Sequence, residues 1–279
     1  MQHPPGFLRQ LQYTTAAVPA QSFAAKLRVE NRGGLCYYPI VQKTAPVRMF
    51  GRQKTMPDIY IIGDSTVEDN TPPFRGWGWA LKDLTAPGVG VKNHALSGRS
   101  SKSFLDEGLF EPVRKGMREG DLLLIQFGHN DEKDDAERHT DPETTFIAHL
   151  NRYCDAAVRS GAQPVLITPV SRRFFAGPDS VLYTHGEYAP AVRQLAKWRC
   201  LPLLDLENAS RELYLALGEE KTAELFVRLK PGEHPDFPDG HDDKTHFNET
   251  GARRMAELVA GMMRADPRTA PFVTPYDRA

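Results

Sequence analysis

Cysteine is scarce in this sequence, and long apolar runs are missing. The 279 residues include three cysteines, Cys36, Cys154 and Cys200, and no C-x-x-C spacing. An odd number of widely spaced cysteines argues against a disulfide framework and against a structural zinc site. No stretch of about 18 consecutive apolar residues occurs, so the sequence predicts no membrane-spanning helix and no membrane partner.

An excess of positive charge is also missing. The chain has 35 Lys and Arg residues against 36 Asp and Glu residues, for a formal net charge of −1. Nucleic-acid-binding domains usually carry a basic excess, so this balance predicts no nucleic-acid partner. The hydrophobic fraction of 40% is large enough for a core. Composition therefore excludes several classes of protein and leaves the chemistry open.

The N-terminal segment differs from the rest of the chain. Residues 1–55 contain eight Lys or Arg residues and a single acid, Glu30, and show no sustained helical or strand period. We interpret this segment as a basic extension, disordered or loosely packed, before a functional domain at 56–279. Two alternatives remain open: an upstream stretch outside the functional domain, with Met49 or Met56 as the natural start, and an organelle-targeting segment. It lacks the apolar core of a secretory signal, which predicts a cytoplasmic location.

Short apolar runs and segments with helical spacing alternate after residue 57. A continuous apolar run that ends in glycine is typical of a strand buried on both faces of a sheet. The alternation predicts an α/β fold, one doubly wound domain with a mainly parallel sheet of about five strands. The predicted strands are 59–62, 89–95, 121–127, 164–169 and 201–206. The predicted helices are 77–84, 109–117, 142–160, 187–198, 209–217 and a last one from an Asn248 N-cap to residue 263.

Polar clusters follow the predicted strands. In parallel sheets the functional residues gather where strands end. Clusters at 63–66, 93–98 and 128–131 follow the first three strands, and a fourth at 243–246 precedes the last helix. These loops are expected to meet at one edge of the sheet.

The residue types in these clusters predict a serine hydrolase. A serine hydroxyl is a weak nucleophile and needs a neighbouring base. His246 can serve as the base for Ser65, and Asp243 can orient the imidazole by accepting its other ring N–H. Asp243 precedes His246 by three residues, which lets both side chains lie on one turn. Asp242 is a second candidate for the acid, but the Asp-x-x-His spacing favours Asp243.

Hydrolysis of an ester also needs donors for the negative oxygen of the tetrahedral intermediate. We predict three such donors: the backbone N–H groups of Ser65 and Gly98, and the side-chain amide of Asn130. Glycine suits position 98 because a side chain there would keep the oxyanion away from the backbone. Asp64 and Asp131 are interpreted as structural.

The order and spacing of these motifs resemble those of the SGNH, or GDSL-like, hydrolases. The motifs are Gly63-Asp64-Ser65, Gly98, Gly128-His129-Asn130-Asp131 and Asp243-x-x-His246. The Gly-Asp-Ser-Thr opening, Gly76-Trp77-Gly78 and the 126–131 and 168–173 blocks are similar to rhamnogalacturonan acetylesterases of carbohydrate esterase family twelve. The resemblance covers about residues 57–265.

This resemblance implies a three-layer, flavodoxin-like fold with Ser65 as nucleophile, His246 as base and Asp243 as its partner. It also implies oxyanion donors at Ser65, Gly98 and Asn130. The implied activity is removal of O-acetyl groups from carbohydrate, in particular pectic rhamnogalacturonan oligosaccharides, with no metal and no cofactor. An acidic, proline-rich loop at 231–243 departs from the pattern and leaves the polymer specificity open.

Four further residues are candidates for substrate binding. One of Trp77 and Trp79 is expected in the core, and Trp77 could instead offer a plane on which a sugar ring stacks. His129 could line the site or pack in the core. Arg172 and Arg173 could pair with the carboxylate of a uronate, because guanidinium groups bind carboxylates through two hydrogen bonds, or could form structural ion pairs.

Two alternative functions come from other classes. The first is a metal-dependent phosphoesterase. The usual signature of that class reads Gly-Asn-His-Asp/Glu, whereas this chain has Gly128-His129-Asn130-Asp131. Separately, the histidines and acids of loop 231–243 suit zinc or manganese, although a run of this kind is more commonly a solvated acidic loop. The second alternative is a sugar-binding protein without catalysis, which would not need a serine, a histidine and an aspartate together.

Overall fold

The computed structural model describes residues 26–31, 34–39 and 56–275. The chain divides into two units, Met1–Arg48 and Met49–Ala279. In the first unit, β1 (Lys26–Asn31) and β2 (Gly34–Pro39) pair antiparallel, although the sequence pattern predicted no element there. The other residues of the 1–55 segment lie outside the described ones, and its predicted looseness stays a prediction.

The second unit is built on a parallel sheet of five strands. The strands are β3 (Ile59–Gly63), β4 (Val91–Asn93), β5 (Leu122–Gln126), β6 (Gln163–Ile167) and β7 (Leu203–Leu204). Their order is β4-β3-β5-β6-β7, and every neighbouring pair is parallel. This is the flavodoxin-like order, which places a crevice at the carboxyl ends of the strands where the chain direction across the sheet reverses. The predicted α/β class, strand number and parallel pairing are confirmed.

Helices cover both faces of this sheet and complete three layers. Ile59 and Ile61 belong to the core on one face, and Tyr60 and Ile62 to the core on the other. Because successive side chains of a strand point to opposite faces, a strand buried on both sides has to be apolar throughout. The helices are α1 (Trp77–Leu81), α6 (Leu206–Ala223) and α7 (Glu249–Ala265) on the first face, and α2 (Ser103–Asp106), α3 (Phe110–Gly116), α4 (Thr145–Ser160) and α5 (Tyr188–Arg199) on the second. In the part of the chain that the structure describes, no helix has the length and apolarity to span a bilayer.

The N-terminal end of α7 anchors the residues that come directly before it in the chain. Asn248 caps this helix, as predicted, by accepting the Gly251 N–H at 3.0 Å, and it donates to the carbonyl oxygens of Glu224 and Phe226. A Cβ atom at Gly251 would lie 1.9 Å from the Leu225 carbonyl oxygen, so only glycine allows this approach. The residues just before Asn248 are therefore anchored to the body of the domain.

A hairpin that the sequence pattern did not predict lies beside the sheet. Strands β8 (Phe226–Leu229) and β9 (His241–Phe247) pair antiparallel with an irregular register. The prediction of a loop over 231–243 is wrong for residues 241–243, which belong to β9. This strand is mostly polar, so it lacks the apolar alternation by which strands are recognised. The Arg75 N–H donates to the Phe247 carbonyl oxygen at 2.9 Å and ties the strand to the loop after β3.

Candidate active site

A pocket of about 370 Å³ lies at the carboxyl edge of the sheet, where residues from several strand ends meet. Ser65 follows β3, Gly98 follows β4 and Asn130 follows β5, while His246 reaches the pocket from β9. The predicted convergence of distant stretches of the chain is thus present in the fold. The residues that line the pocket are Ser65, Asn70, Thr71, Phe74, Ser97, Gly98, Asn130 and His246.

Three side chains form a hydrogen-bonded series at this pocket. Ser65 Oγ lies 2.9 Å from His246 Nε2, and His246 Nδ1 lies 2.8 Å from Asp243 Oδ2. With the Nδ1 proton on the carboxylate side, Nε2 is free to accept the hydroxyl proton. This arrangement is the one that activates a serine for attack on a carbonyl carbon.

Asp243 is held as an anion by donors on both of its oxygens. Oδ1 accepts the backbone N–H groups of Thr245 at 2.6 Å and His246 at 2.8 Å, and Oδ2 accepts from the His246 ring. Burial raises the pKa of Asp243, but the hydrogen bonds and charge of His246 and the two backbone donors outweigh it, and its pKa lies well below the usual value. Its rival Asp242 instead pairs with Arg173 at 2.6 Å.

A buried polar network fixes the turn that carries Ser65. Asp64 Oδ1 accepts the Thr66 N–H at 2.9 Å and the Thr66 hydroxyl at 2.7 Å. Gln126 donates to the same hydroxyl at 2.8 Å, and Trp77 Nε1 donates to the Gln126 side-chain oxygen at 2.9 Å. All four of these supporting side chains are buried, so the turn is braced from beneath. The structural interpretation of Asp64 agrees with these contacts.

The three predicted oxyanion donors lie on this pocket. Among the residues that the structure describes, neither the Ser65 N–H nor the Gly98 N–H donates to another protein group. Gly98 has a φ of +77°, and open space surrounds the position that a Cβ atom would take, so its backbone is accessible. Asn130 Nδ2 uses one hydrogen on the Arg99 carbonyl oxygen at 3.1 Å and has a second to offer.

Comparison with known families agrees with this geometry. The model of the GDSL-like lipase/acylhydrolase family matches residues 61–254, a range that contains Ser65, Gly98, Asn130, Asp243 and His246. The chain belongs to this family. The predicted membership in the GDSL-like hydrolases is confirmed, and so is the predicted class of carboxylic ester hydrolase.

Two relatives of this GDSL-like protein are from Bacillus subtilis (strain 168). Rhamnogalacturonan acetylesterase RhgT is 44% identical over 205 residues, which cover 72% of this chain and 87% of that protein. The probable rhamnogalacturonan acetylesterase YesY is 37% identical over 206 residues, which cover 72% of this chain and 90% of that protein. The resemblance to rhamnogalacturonan acetylesterases that the motifs indicated is therefore spread over most of the hydrolase domain.

A crystal structure of the Bacillus subtilis protein YxiM has a similar fold. The TM-score is 0.65 at 26% sequence identity, and the match covers 76% of this chain. The matched region spans 57% of the YxiM chain.

Two of the predicted substrate-binding residues are buried in this GDSL-like fold. Trp77 has no exposed surface, so the prediction that it offers a stacking plane to a sugar is wrong, and its indole serves the network beneath Ser65. His129 is 4% exposed and packs edge-on against His185, with ring centroids 4.3 Å apart. Burial holds the pKa of His129 well below its usual value, so it packs in the interior as a neutral ring.

The two arginines are engaged inside the protein. Arg172 pairs with Glu132 and donates to the Thr184 carbonyl oxygen at 3.0 Å. Arg173 is 7% exposed and pairs with Asp242. The expectation that they bind a uronate is not supported, because their guanidinium groups already hold carboxylates, and the alternative of structural ion pairs describes them.

Several pocket residues were missed by sequence reasoning. Phe74 packs edge-on against the His246 ring at 5.8 Å. Asn70 donates to the Ser65 carbonyl oxygen at 3.1 Å, and Ser97 binds Glu68 through its N–H and hydroxyl. Asn70 and Phe74 lie on the loop after β3, outside the predicted motifs, whereas Ser97 lies inside the 93–98 cluster and was given no role of its own. The only signal for them was their proximity in sequence to Ser65 and Gly98.

The histidines and acids of the acidic loop 231–243 lie close to one another only in pairs in the described residues. His234 lies near Asp236, with 3.9 Å between Nδ1 and Oδ2, and His241 lies 3.0 Å from Asp243. Within residues 56–275, no group of three or more His, Cys, Asp or Glu side chains is arranged to hold a metal ion.

Proposed function

We propose that this protein is a serine esterase that removes O-acetyl groups from carbohydrate, with rhamnogalacturonan oligosaccharides as its substrate. The observation that carries this proposal is the hydrogen-bonded series Ser65–His246–Asp243 at an open pocket. The names and identities of the two Bacillus acetylesterases support the substrate class.

In the first step His246 Nε2 takes the Ser65 proton as the hydroxyl oxygen bonds to the acetyl carbonyl carbon. The His246 ring becomes positively charged, and Asp243 stabilises it through the 2.8 Å contact with Nδ1. Because the base must be neutral to accept this proton, activity is expected to fall in acidic solution.

The tetrahedral intermediate carries its negative charge on the former carbonyl oxygen. The Ser65 N–H, the Gly98 N–H and the second Asn130 amide hydrogen are the donors we assign to it. Collapse of the intermediate breaks the bond to the sugar oxygen, which takes its proton from His246. Water then gives a proton to the same ring as its oxygen bonds to the acetyl carbon. When this second intermediate collapses, the bond to Ser65 Oγ breaks, the serine oxygen takes that proton back from His246, and acetate is released.

Replacement of Ser65 tests this mechanism. We expect Ser65→Ala to lower kcat for acetate release by several orders of magnitude, because the covalent step needs the hydroxyl. Ser180→Ala is the matched control, since Ser180 is exposed and does not line the pocket. A Ser65→Ala protein that keeps most of its activity would refute the nucleophile assignment.

Excess chelator in the same assay tests the alternative metal-dependent phosphoesterase. The serine mechanism predicts unchanged acetate release, and a phosphoesterase would lose its activity on phosphate esters. No described feature favours that alternative or the catalytically silent sugar-binding protein.

A substrate panel tests the carbohydrate assignment. Acetate release from acetylated rhamnogalacturonan oligosaccharides, acetylated xylan and a small chromogenic acetate ester should be measured side by side. We expect the highest kcat/KM on the pectic oligosaccharides; equal values on all three would leave only a general esterase.

The cytoplasmic location stays a prediction, which fractionation of the source cells would test.

A further inference from the structure

A second histidine contacts the aspartate of the proposed catalytic series. His241 Nε2 lies 3.0 Å from Asp243 Oδ2, the same oxygen that His246 Nδ1 approaches at 2.8 Å. Since a carboxylate oxygen only accepts, both ring nitrogens must carry a proton on this side. Asp243 therefore binds two imidazole N–H groups at one oxygen.

Aromatic contacts fix the position of His241. Its ring stacks on Phe237 with a centroid distance of 4.4 Å and an interplanar angle of 26°. Phe237 packs against Phe74 at 5.9 Å, and Phe74 packs edge-on against His246 at 5.8 Å. These contacts close a ring of five side chains, which joins the 231–241 segment to the pocket wall at Phe74.

We propose that His241 is a positioning residue that, as a second donor to Asp243, opposes protonation of His246 and keeps the base active in mildly acidic solution. The inference rests on the proposed function, because it concerns the base of that mechanism. His241 does not line the pocket of Ser65, so it acts through Asp243 and not on the substrate.

The charge that Asp243 presents to His246 depends on how many donors bind Oδ2. A charged His246 ring is stabilised by the negative charge of Asp243. A second N–H bound to Oδ2 takes up part of that charge, so the carboxylate stabilises the imidazolium less. Loss of the His241 donor should make His246 easier to protonate, and the acid-side fall in activity should move to higher pH.

Several other charged groups lie near the two histidine rings. Asp243 is the one carboxylate within ion-pair distance of either ring among the described residues. His241 also lines a second cleft, together with charged groups from the end of α6, from β8, from β9 and from the loop between these strands. His234 packs on Phe237. Two buried groups beyond Asp243, namely Asp64 and His129, interact electrostatically with His246. The charged residues of the cleft are Glu224, Arg228, Lys230, Glu233, Asp239 and Asp242.

The test compares three single variants of the full chain. His241→Phe keeps a ring on Phe237 and removes the donor, and His241→Gln restores an N–H donor. His234→Phe is the matched control, because His234 also packs on Phe237, at 5.6 Å, but does not touch Asp243. For each, kcat/KM on a small neutral acetate ester is measured across acidic and neutral pH.

We expect His241→Phe to move the acid-side midpoint upward by about half a pH unit to one unit. Loss of one typical intramolecular hydrogen bond has that order of effect, and the effect of His241 on His246 is indirect, through Asp243. His241→Gln should return the midpoint toward that of the unmodified protein, and His234→Phe should leave it unchanged. If His241→Phe is too unstable to assay, His241→Met removes the donor at similar bulk and is expected to give the same shift.

An unchanged midpoint in the variants that lack the donor would overturn the inference. So would a uniform fall in kcat/KM at every pH, because that result describes a merely structural residue. Neither outcome affects the proposed function, which depends on the separate Ser65→Ala measurement.

Discussion

Asn130 donates one amide hydrogen to the Arg99 carbonyl oxygen and keeps the other for the pocket. Asn130→Ala removes an oxyanion donor without touching Ser65 or His246. We predict that kcat on an acetate ester falls by about a hundredfold or more, the usual effect of losing one such donor.

Asn151→Ala is a suitable control for this variant. Asn151 lies on α4 and binds Arg199, outside the pocket. The Asn151→Ala variant should therefore keep the full kcat on the acetate ester. Unchanged turnover in Asn130→Ala, with an unchanged melting temperature, would remove Asn130 from the proposed oxyanion hole.

Asp131 illustrates how burial changes a carboxyl group in the same block. It accepts the Ser101 N–H and hydroxyl and the Thr140 hydroxyl, and it has no exposed surface. Burial raises its pKa from 3.8 to about 7 in spite of these donors. The folded state therefore binds a proton more tightly at this site than the unfolded state does.

This raised pKa predicts a particular pH dependence of stability. A group whose pKa is raised on folding stabilises the fold below the unfolded pKa, and that contribution disappears as pH rises through the folded pKa. Asp131 should thus reduce the free energy of unfolding between about pH 4 and pH 7, the interval between its two pKa values. Denaturant titrations should show this decline in the unmodified protein and a flatter profile in Asp131→Asn. Parallel profiles would contradict the prediction.

At the scale of elements, the turn after β3 depends on a helix that follows it. Trp77 at the start of α1 reaches Gln126 at the end of β5, and Gln126 reaches Thr66 in the turn. Trp77→Phe keeps an aromatic ring but leaves the Gln126 oxygen buried without a donor. We predict that the free energy of unfolding falls by about 1–3 kcal/mol, the cost of one unsatisfied buried polar group.

Chemical denaturation checks this prediction, with Trp198→Phe as its control. Trp198 is 60% exposed, so its replacement should change stability little. Equal stability of Trp77→Phe and the unmodified protein would show that the indole hydrogen bond does not brace the turn.

The β8–β9 hairpin shows where a strand is hard to predict. Its second strand carries Asp243 and His246, yet most of its residues are polar. Strand β9 is held in place by its pairing with Phe226–Leu229 and by the hydrogen bond from the Asn248 side chain to the Phe226 carbonyl oxygen. Both contacts join residues that belong to different elements and are not neighbours in the sequence. Continuous apolar runs predicted β3 and β5 because both faces of those strands are buried, a condition that β9 does not meet.

At the scale of the whole molecule, the division of the chain makes a deletion informative. The second unit begins at Met49, and the family match begins at residue 61. We predict that a chain that starts at Met56 keeps its kcat/KM on an acetate ester, because the proposed site is built entirely from residues after β3. The assay should be accompanied by a thermal melt. Loss of folded protein on deletion would mean that residues 1–55 belong to the stable core.

The sequence alone determined the α/β class, the five parallel strands and the motifs around Ser65, Gly98, Asn130 and His246. Those features depend on local patterns: apolar runs, glycines at strand ends and a short Asp-x-x-His spacing. The tertiary structure decided what burial does to each side chain. It placed Trp77 and His129 in the interior, paired Arg172 and Arg173 with acids, and brought His241 to Asp243. Such outcomes depend on which surfaces lose water and on which distant groups meet, and no local pattern along the chain records either.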